Sequence, residues 1–238
     1  MITTQYQPLY LQVYRALTQR LKDRDWKPGD RLPSEFELAD ELGVSQGTVR
    51  KALNQMVSEQ LLERQQGRGT FVAGHTQESS LFRFFRWREP SGPSLIPTTT
   101  VLARERRQAN VQECEVLDLE QGEWVVELTR LRYLFEVPQL LEFLIQPLSV
   151  FPDIDMIEDM PNSLYTLYQD QYGISIVRTH DELSAGTVPA EYASVLGVEL
   201  TTPVLTVSRQ SINIDGRVVE WSRAYGKTED LVYSVDLQ

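Results

Sequence analysis

The chain has 238 residues, 41% hydrophobic and 24% charged, with one cysteine and a formal net charge of −11 at pH 7. No run approaches the ~20 apolar residues of a membrane span, Met1-Ile2-Thr3-Thr4-Gln5 lacks the pattern of a signal peptide, and Cys114 has no internal partner, so a reducing cytoplasm is the expected compartment. The acidity is unevenly divided, because residues 1–74 carry ten basic and nine acidic side chains, a net +1, and the remainder carries −12; whole-chain charge therefore does not exclude a nucleic-acid-binding face on the first part.

Tyr10, Val13, Tyr14, Leu17 and Leu21 recur at the spacing of one helix face, which predicts an amphipathic helix from Pro8 to Arg24. Trp26-Lys27-Pro28-Gly29-Asp30 is a turn, and Arg31-Leu32 suits a short extended piece. Ser34-Glu35-Phe36-Glu37 fits a capping box opening a second helix to about Leu42, with Leu38, Ala39 and Leu42 inward. Gly43 supplies the left-handed residue that closes it, and Ser45 caps a third helix running to about Glu59. That helix buries Val49, Leu53, Met56 and Val57 and presents Gln46, Gly47, Thr48 and Arg50 outward. Leu61–Gln65 and Thr70–Ala73 flank a tip, Gln66-Gly67-Arg68-Gly69. Alone, a Gly-Arg-Gly tip is usually only a turn and a capped helix pair is common packing. The succession of helix, capped helix, Gly turn, capped helix and basic hairpin is what points to a winged helix-turn-helix, with the start of the third helix meeting bases and phosphates of double-stranded DNA and the Arg68 tip reaching a groove or a phosphate.

These residues resemble the DNA-binding domain of GntR-family bacterial transcription regulators. The likeness is carried by Lys27-Pro28-Gly29-Asp30-Arg31-Leu32-Pro33-Ser34-Glu35, Leu42-Gly43-Val44-Ser45, Thr48-Val49-Arg50-Lys51-Ala52-Leu53 and Gly67-Arg68-Gly69-Thr70-Phe71-Val72. It implies DNA contacts from Ser34, Ser45, Gln46, Gly47, Thr48, Arg50, Gly67, Arg68 and Gly69. Two positions depart from the family: Phe36 and Gln46 stand where arginine is usual or frequent. Phe36 makes no charged contact, and Gln46 can hydrogen-bond adenine where arginine favours guanine. An operator unlike the common family site, held by fewer phosphate contacts, is expected.

Domain boundaries are expected at 1–73 for the winged unit, 74–80 for a polar linker and 81–238 for a second domain. The aromatic and basic stretch Leu81–Trp87 reads as an amphipathic strand docked on the core, or as the border of a ligand pocket or interdomain contact. Strand signals follow at Thr98–Arg104, Trp124–Leu134, Leu140–Leu148, Ile174–Leu183, Val204–Ile214, Val218–Ala224 and Tyr233–Leu237. Asp215-Gly216 is a hairpin turn between two of them. Short helices fit Val111–Leu117, Ser163–Tyr172 and Pro189–Leu196. The sum is an α+β chain whose second part is an antiparallel sheet with a few helices. This part resembles the UTRA ligand-sensing domain of the HutC subgroup of GntR regulators, whose fold is like that of chorismate lyase. Arg130-Leu131-Arg132, Glu142, Phe151-Pro152, Ser163-Leu164-Tyr165, Gly216-Arg217-Val218-Val219-Glu220 and Tyr225 carry that resemblance. Phe135-Glu136 replaces the family's frequent Asp-Gly turn, and the tail from Tyr225 to Asp230 also departs.

The resemblance implies an effector site at Arg130, Arg132, Glu142, Ser163, Tyr165, Glu220 and Tyr225. Arg130 and Arg132 are two apart on a strand and so share a face, where paired guanidinium groups attract a carboxylate or phosphate. The first amides of a helix headed by Ser163 would add donors. Glu142 and Glu220 would accept from ligand hydroxyls or simply neutralise the arginines. An enzyme or ligand-binding module related to chorismate lyase, with an accessory DNA-binding domain, is the alternative. The chain offers only His75, His180 and Cys114 besides carboxylates, with no metal-spaced cluster and no nucleophile elbow. No catalytic residue, metal or cofactor is expected. The expected protein is a cytoplasmic homodimeric repressor, without membrane contact, whose operator affinity is set by a small anionic metabolite.

Overall fold

Residues 8–59, 61–74, 84–92 and 96–235 are described by a computed structural model, in which the chain divides into two units, Met1–His75 and Thr76–Gln238. Most of the linker expected at 74–80, and Leu81–Arg83, lie outside the described residues.

In the first unit, α1 spans Leu9–Lys22, α2 Glu35–Leu42 and α3 Gln46–Ser58. The sequence stripe becomes the core. Val13 and Leu17 from α1, Leu38 from α2 and Val49, Ala52, Leu53 and Met56 from α3 are buried together with Leu32, Leu61, Leu62 and Val72. Leu42 and Val57 are only half-buried. The capping box at Ser34 is formed: its Oγ accepts from the Glu37 amide at 3.2 Å, and its own amide donates to Glu37 Oε2 at 2.7 Å. Gly43 closes α2 in the left-handed region at φ 62°, and Ser45 Oγ accepts from the Thr48 amide at 3.2 Å. The wing is β1 (Leu62–Gln65) paired antiparallel with β2 (Gly69–Val72). Arg31 bridges to Phe71, so the short extended piece adds to the hairpin as a third strand.

The second unit carries β3 (Trp87–Arg88), β4 (Thr98–Gln108), α4 (Val111–Leu117), β5 (Trp124–Leu134) and β6 (Val137–Pro147). After these come α5 (Leu164–Leu167), β7 (Ile176–Gly186), α6 (Ala193–Leu196), β8 (Val204–Asn213), β9 (Val218–Gly226) and β10 (Val232–Tyr233). Six strands form one antiparallel sheet in the order β4-β5-β6-β9-β8-β7, and β3 pairs with β10. Alternation gives the sheet two different faces. On one, α5 and its continuation cover a core of Val126, Leu128, Leu144, Phe151, Ile154 and Tyr168. On the other, α4 packs on Val125, Ile145 and Trp221, and α6 on Leu131 and Leu141.

Two local expectations change. The helix expected over Ser163–Tyr172 is α-helical only from Leu164 to Leu167 and continues as a π-turn over Tyr168–Tyr172. The last strand is shorter than expected, covering Val232–Tyr233, and 236–238 lie outside the described residues.

Candidate functional site

The first candidate is the exposed face of the winged unit. Ser34, Ser45, Gln46, Gly47, Arg50, Gly67, Arg68 and Gly69 are all exposed there, and Thr48 is half-buried. The hydroxyls of Ser45 and Thr48 share a 2.8 Å hydrogen bond at the start of α3. The wing tip turns through Gly67 at φ 72° and Gly69 at φ 121°, and a Cβ on Gly69 would meet Arg31 Nε at 2.9 Å. Glycine is favoured at Gly69 by its conformation, while the crowding comes from the movable end of the Arg31 side chain.

One organising residue was not singled out from sequence. Glu35 accepts from Arg50 Nε at 2.7 Å and from Arg64 Nη2 at 3.1 Å, and Gln46 Nε2 lies 3.5 Å from it. This carboxylate gathers three donors of the reading face and holds Arg50, whose side chain is 54% exposed. Arg64 joins the face from β1. The cue was the unmatched acid at the first position of α2, beside a helix start that carries Arg50. Phe36, next to it, is 72% exposed, an apolar ring on the surface of the winged unit.

The second candidate lies on the α5-covered face of the sheet. Strand register sets Arg130 opposite Glu142 and brings Glu220, Ser211 and Arg209 to the same face. Arg130 and Arg132 are 3% and 6% exposed. Glu142 Oε2 accepts from Arg130 Nη2 at 2.8 Å and from Arg132 Nε at 2.7 Å. Of the two roles left open for Glu142, neutralising the arginines is the one the geometry realises. Burial works against its charge, but the two guanidinium groups hold its carboxyl down at about 2. Burial also lowers Arg132, against the attraction of Glu142. Arg132 Nη1 reaches Asn162 Oδ1 at 3.4 Å, and its guanidinium lies 5.5 Å from the Phe85 ring centre.

Arg130 is less well served. Its Nε and Nη1 are buried and have no hydrogen-bond partner. An unpaired buried donor costs about 1–3 kcal/mol, more when charged, so this guanidinium is set up for an acceptor supplied from outside. It borders a cavity of about 60 Å³, also lined by Phe84, Arg132, Ser163, Tyr165, Arg209 and Glu220. The stretch expected at Leu81–Trp87 thus borders a pocket through Phe84 and Phe85. The Phe84 and Tyr165 rings meet edge to face, centres 4.8 Å apart.

Glu220 does not pair with the arginines. It is 1% exposed, accepts from Ser211 Oγ at 2.9 Å and also accepts from the Tyr168 hydroxyl. Burial raises its pKa, against the opposing hydrogen bonds of Tyr168 and Ser211. Tyr165 shares a 2.7 Å hydrogen bond with Ser211. Ser163 lines the pocket at the start of α5, and its side chain makes no cap hydrogen bond. Tyr225 is not brought together with the others. Its partners are Leu141 and Thr206, which places it on the opposite face, 6.0 Å from the Phe143 ring. Arg209, unnoticed in the sequence, belongs to the pocket: Asp181 grips it at 2.7 and 2.8 Å, and its Nη1 donates to the Phe84 carbonyl at 2.7 Å.

A larger cavity of about 290 Å³ lies on the α4 face, where Tyr225 is found. Its Arg107 is already satisfied by Glu113 at 2.6 and 2.7 Å and by Glu127. Arg223 lines it too, over the Trp221 ring, and what favours the smaller pocket as the anion site is the pair of buried N–H groups left unpartnered on Arg130. Among the described residues no group of His, Cys, Asp and Glu could hold a metal ion, and no helix is long and apolar enough to cross a membrane.

Comparison with known proteins agrees with both units. The family described as bacterial regulatory proteins, gntR family, matches residues 9–72, and the UTRA domain matches residues 94–231. The mannosyl-D-glycerate transport/metabolism system repressor MngR of Escherichia coli (strain K12) is 31% identical over 98% of this chain and 97% of its own. The HTH-type transcriptional repressor NagR of Bacillus subtilis (strain 168) is 27% identical over 91% of this chain and 89% of its own. The crystal structure of PhnF from Mycobacterium smegmatis shares the fold at a TM-score of 0.58 and 24% identity, over 94% of this chain and 99% of that one.

Proposed function

The chain belongs to the gntR family of bacterial regulatory proteins and carries a UTRA domain, and from that premise we propose how its two sites divide the work. The protein is a DNA-binding transcriptional repressor regulated by a metabolite in the UTRA domain, not an enzyme. In the winged unit, Gln46, Gly47, Thr48 and Arg50 enter the major groove, with Glu35 orienting Arg50, while Arg68 and Arg64 approach the backbone. Two heads are needed for paired half-sites, so the working form is a homodimer held by the sheet domain.

The effector is a small anion carrying hydroxyl groups, bound between Arg130 and Arg132. The observation that supports this is the pair of unsatisfied buried N–H groups on Arg130. MngR, by its name, represses a system for mannosyl-D-glycerate, a sugar with a carboxylate, and this chain's pocket suits the same chemical class. With Glu142 committed to the arginines, the ligand's hydroxyls would meet the Ser211, Glu220 and Tyr165 network through its remaining lone pairs or by displacing one of its bonds. Binding pushes on Phe84, the roof residue whose carbonyl Arg209 holds, and so acts on the segment leading back to the winged unit.

A thermal-shift screen with inorganic phosphate, phosphorylated sugars and sugar carboxylates tests this. Anions should raise the Tm of the wild-type chain and lose that effect in Arg130→Met. An equal shift in both proteins, or stabilisation by neutral sugars alone, would overturn the anion site.

A further inference from the structure

The larger cavity on the α4 face has no part in the function proposed above. Its volume of about 290 Å³ is near the lower end of the ~300–1,000 Å³ range of ligand pockets. Its floor is the middle of the sheet, lined by Phe143 on β6 and by Trp221, Arg223 and Tyr225 on β9. One wall is the start of α4, with Gln112. The other is the 3-10 turn Ala190–Tyr192 ahead of α6, with Glu191.

Strand alternation puts this cleft on the reverse of the strands that build the Arg130 pocket. On β6, Glu142 and Leu144 line the pocket, while Phe143 and Ile145 line the cleft. On β9, Glu220 and Ser222 face one way, and Trp221 and Arg223 the other. The two cavities therefore share strands and no lining residue.

The free polar groups define what the cleft can hold. Arg107 is closed off by Glu113 and Glu127. Among the described residues, the side chains of Gln112, Glu191, Arg223 and Tyr225 make no hydrogen bond or ion pair, and the Arg223 guanidinium only lies over the Trp221 ring, 5.3 Å from its centre. These four are an amide, an anion, a cation and a phenol. The lining as a whole sets three carboxylates (Glu113, Glu127, Glu191) against two guanidinium groups (Arg107, Arg223), one negative charge in surplus. A free anion is disfavoured by that surplus, and a cation meets Arg223. A hydroxyl both donates and accepts, so a ring carrying several of them can satisfy all four groups. Phe143 and Tyr225 are half-buried, so their rings offer an apolar surface to the carbon skeleton of such a ligand. Size sets the bound. A cavity of about 150 Å³ already holds benzene, so about 290 Å³ fits one six-membered ring with its substituents.

We propose that this cleft is a second ligand site, for an uncharged, polyhydroxylated ring of monosaccharide size. It goes beyond the anion reading and stands without it. Because β6 and β9 carry residues of both cavities, the sensing domain then has two inputs, one anionic and one neutral, on opposite faces of one sheet.

Saturation-transfer NMR on the full-length chain tests this, with glucose, mannose and galactose as uncharged probes and glucosamine and glucuronate as charged counterparts. At least one uncharged hexose should receive saturation from the wild-type protein. Its affinity should fall by about fivefold or more in Glu191→Ala and in Arg223→Ala, each losing one hydrogen bond, and should persist in Arg130→Met. Glu191 is exposed, so its variant reports on the site with the fold intact, and circular dichroism checks all three proteins. Silence of every uncharged probe would overturn the proposal. Tighter binding of a charged counterpart, lost in the cleft variants, would overturn its chemical class. A sugar signal that survives both cleft variants would overturn the site, and its loss in Arg130→Met would move the hydroxylated ligand to the anion pocket. The anion reading is judged separately, by the phosphate thermal shift.

Discussion

At the scale of single residues, two buried carboxylates on the same face of the sheet are shifted in opposite directions. Glu142 is ionised because Arg130 and Arg132 outweigh its burial, and its pKa falls to about 2. A group whose folded pKa is depressed stabilises the fold above its ordinary pKa and loses that contribution as pH falls. For Glu142 the loss runs from the ordinary carboxylate value of 4.5 down to about 2. Replacing it with glutamine should cost about 3–5 kcal/mol at pH 7, because two guanidinium groups are left buried without a counter-charge. Urea titrations should show this, and the variant should lack the wild-type decline in stability across that acidic window. Glu220 works the other way. Its pKa is raised by burial, so its contribution is present at low pH and lost as pH rises through its folded value; Glu220→Gln should therefore gain on the wild type as pH increases. A variant Glu142→Gln as stable as the wild type at pH 7 would refute the charge assignment.

Elements show how local chemistry made part of this architecture legible and left the rest hidden. The winged unit could be read almost to the residue because its punctuation is local: a capping box at Ser34, a left-handed Gly43 and a second cap at Ser45 each act within four residues. Trp124–Leu134 was equally plain from its β-branched and apolar density, and the helix expected at Val111–Leu117 is opened by a capping box at Asn110 that went unread. Arg130, Arg132 and Glu142 could be grouped because side chains two apart on a strand share a face. The same rule should have separated Tyr225 from Glu220. They are five apart on a strand whose pairing is unbroken between them, and an odd interval puts them on opposite faces. Arg209 and Asp181 were out of reach, since only the order β9-β8-β7 brings them beside the pocket.

The β5–β6 hairpin shows a departure from turn rules that the fold tolerates. Phe135 and Glu136 both adopt positive φ, 52° and 63°, in the turn that joins Leu134 to Val137. Side chains bearing a Cβ pay about 1–2 kcal/mol each in that region, and Asn-Gly pays far less. Phe135→Asn with Glu136→Gly should raise the stability of the chain by about 1–2 kcal/mol. A lower denaturation midpoint would show that the exposed Phe135 ring has a role the turn geometry does not reveal. Gly226 marks the opposite case, a glycine with no slack: a Cβ there would stand 2.1 Å from the Trp87 ring.

For the whole molecule, the division of charge and the division of labour coincide. The winged unit is nearly neutral and the UTRA-containing unit strongly acidic, so the first tolerates DNA and the second repels it. Coupling between the two sites is reciprocal by thermodynamic necessity. Whatever factor the effector applies to operator affinity, the operator must apply to effector affinity. Calorimetric titration of the effector into free protein and into the protein–operator complex should give dissociation constants whose ratio equals the shift in operator affinity. Unequal factors would mean that the ligand acts somewhere other than on a folded, two-site protein.

The tight roof over Arg130 also sets a clock. The space beneath Phe84 and Tyr165 is about 60 Å³, whereas pockets that hold small-molecule ligands run to about 300–1,000 Å³. A space of that size holds a few water molecules, so an effector of the proposed class can bind there only if the lining, Phe84 and Tyr165 included, gives way. The rate of effector capture should then level off at high ligand concentration, at the frequency with which the roof opens. The cell's response time to a burst of metabolite would be written in the contact between two aromatic rings, not in the concentration of the metabolite.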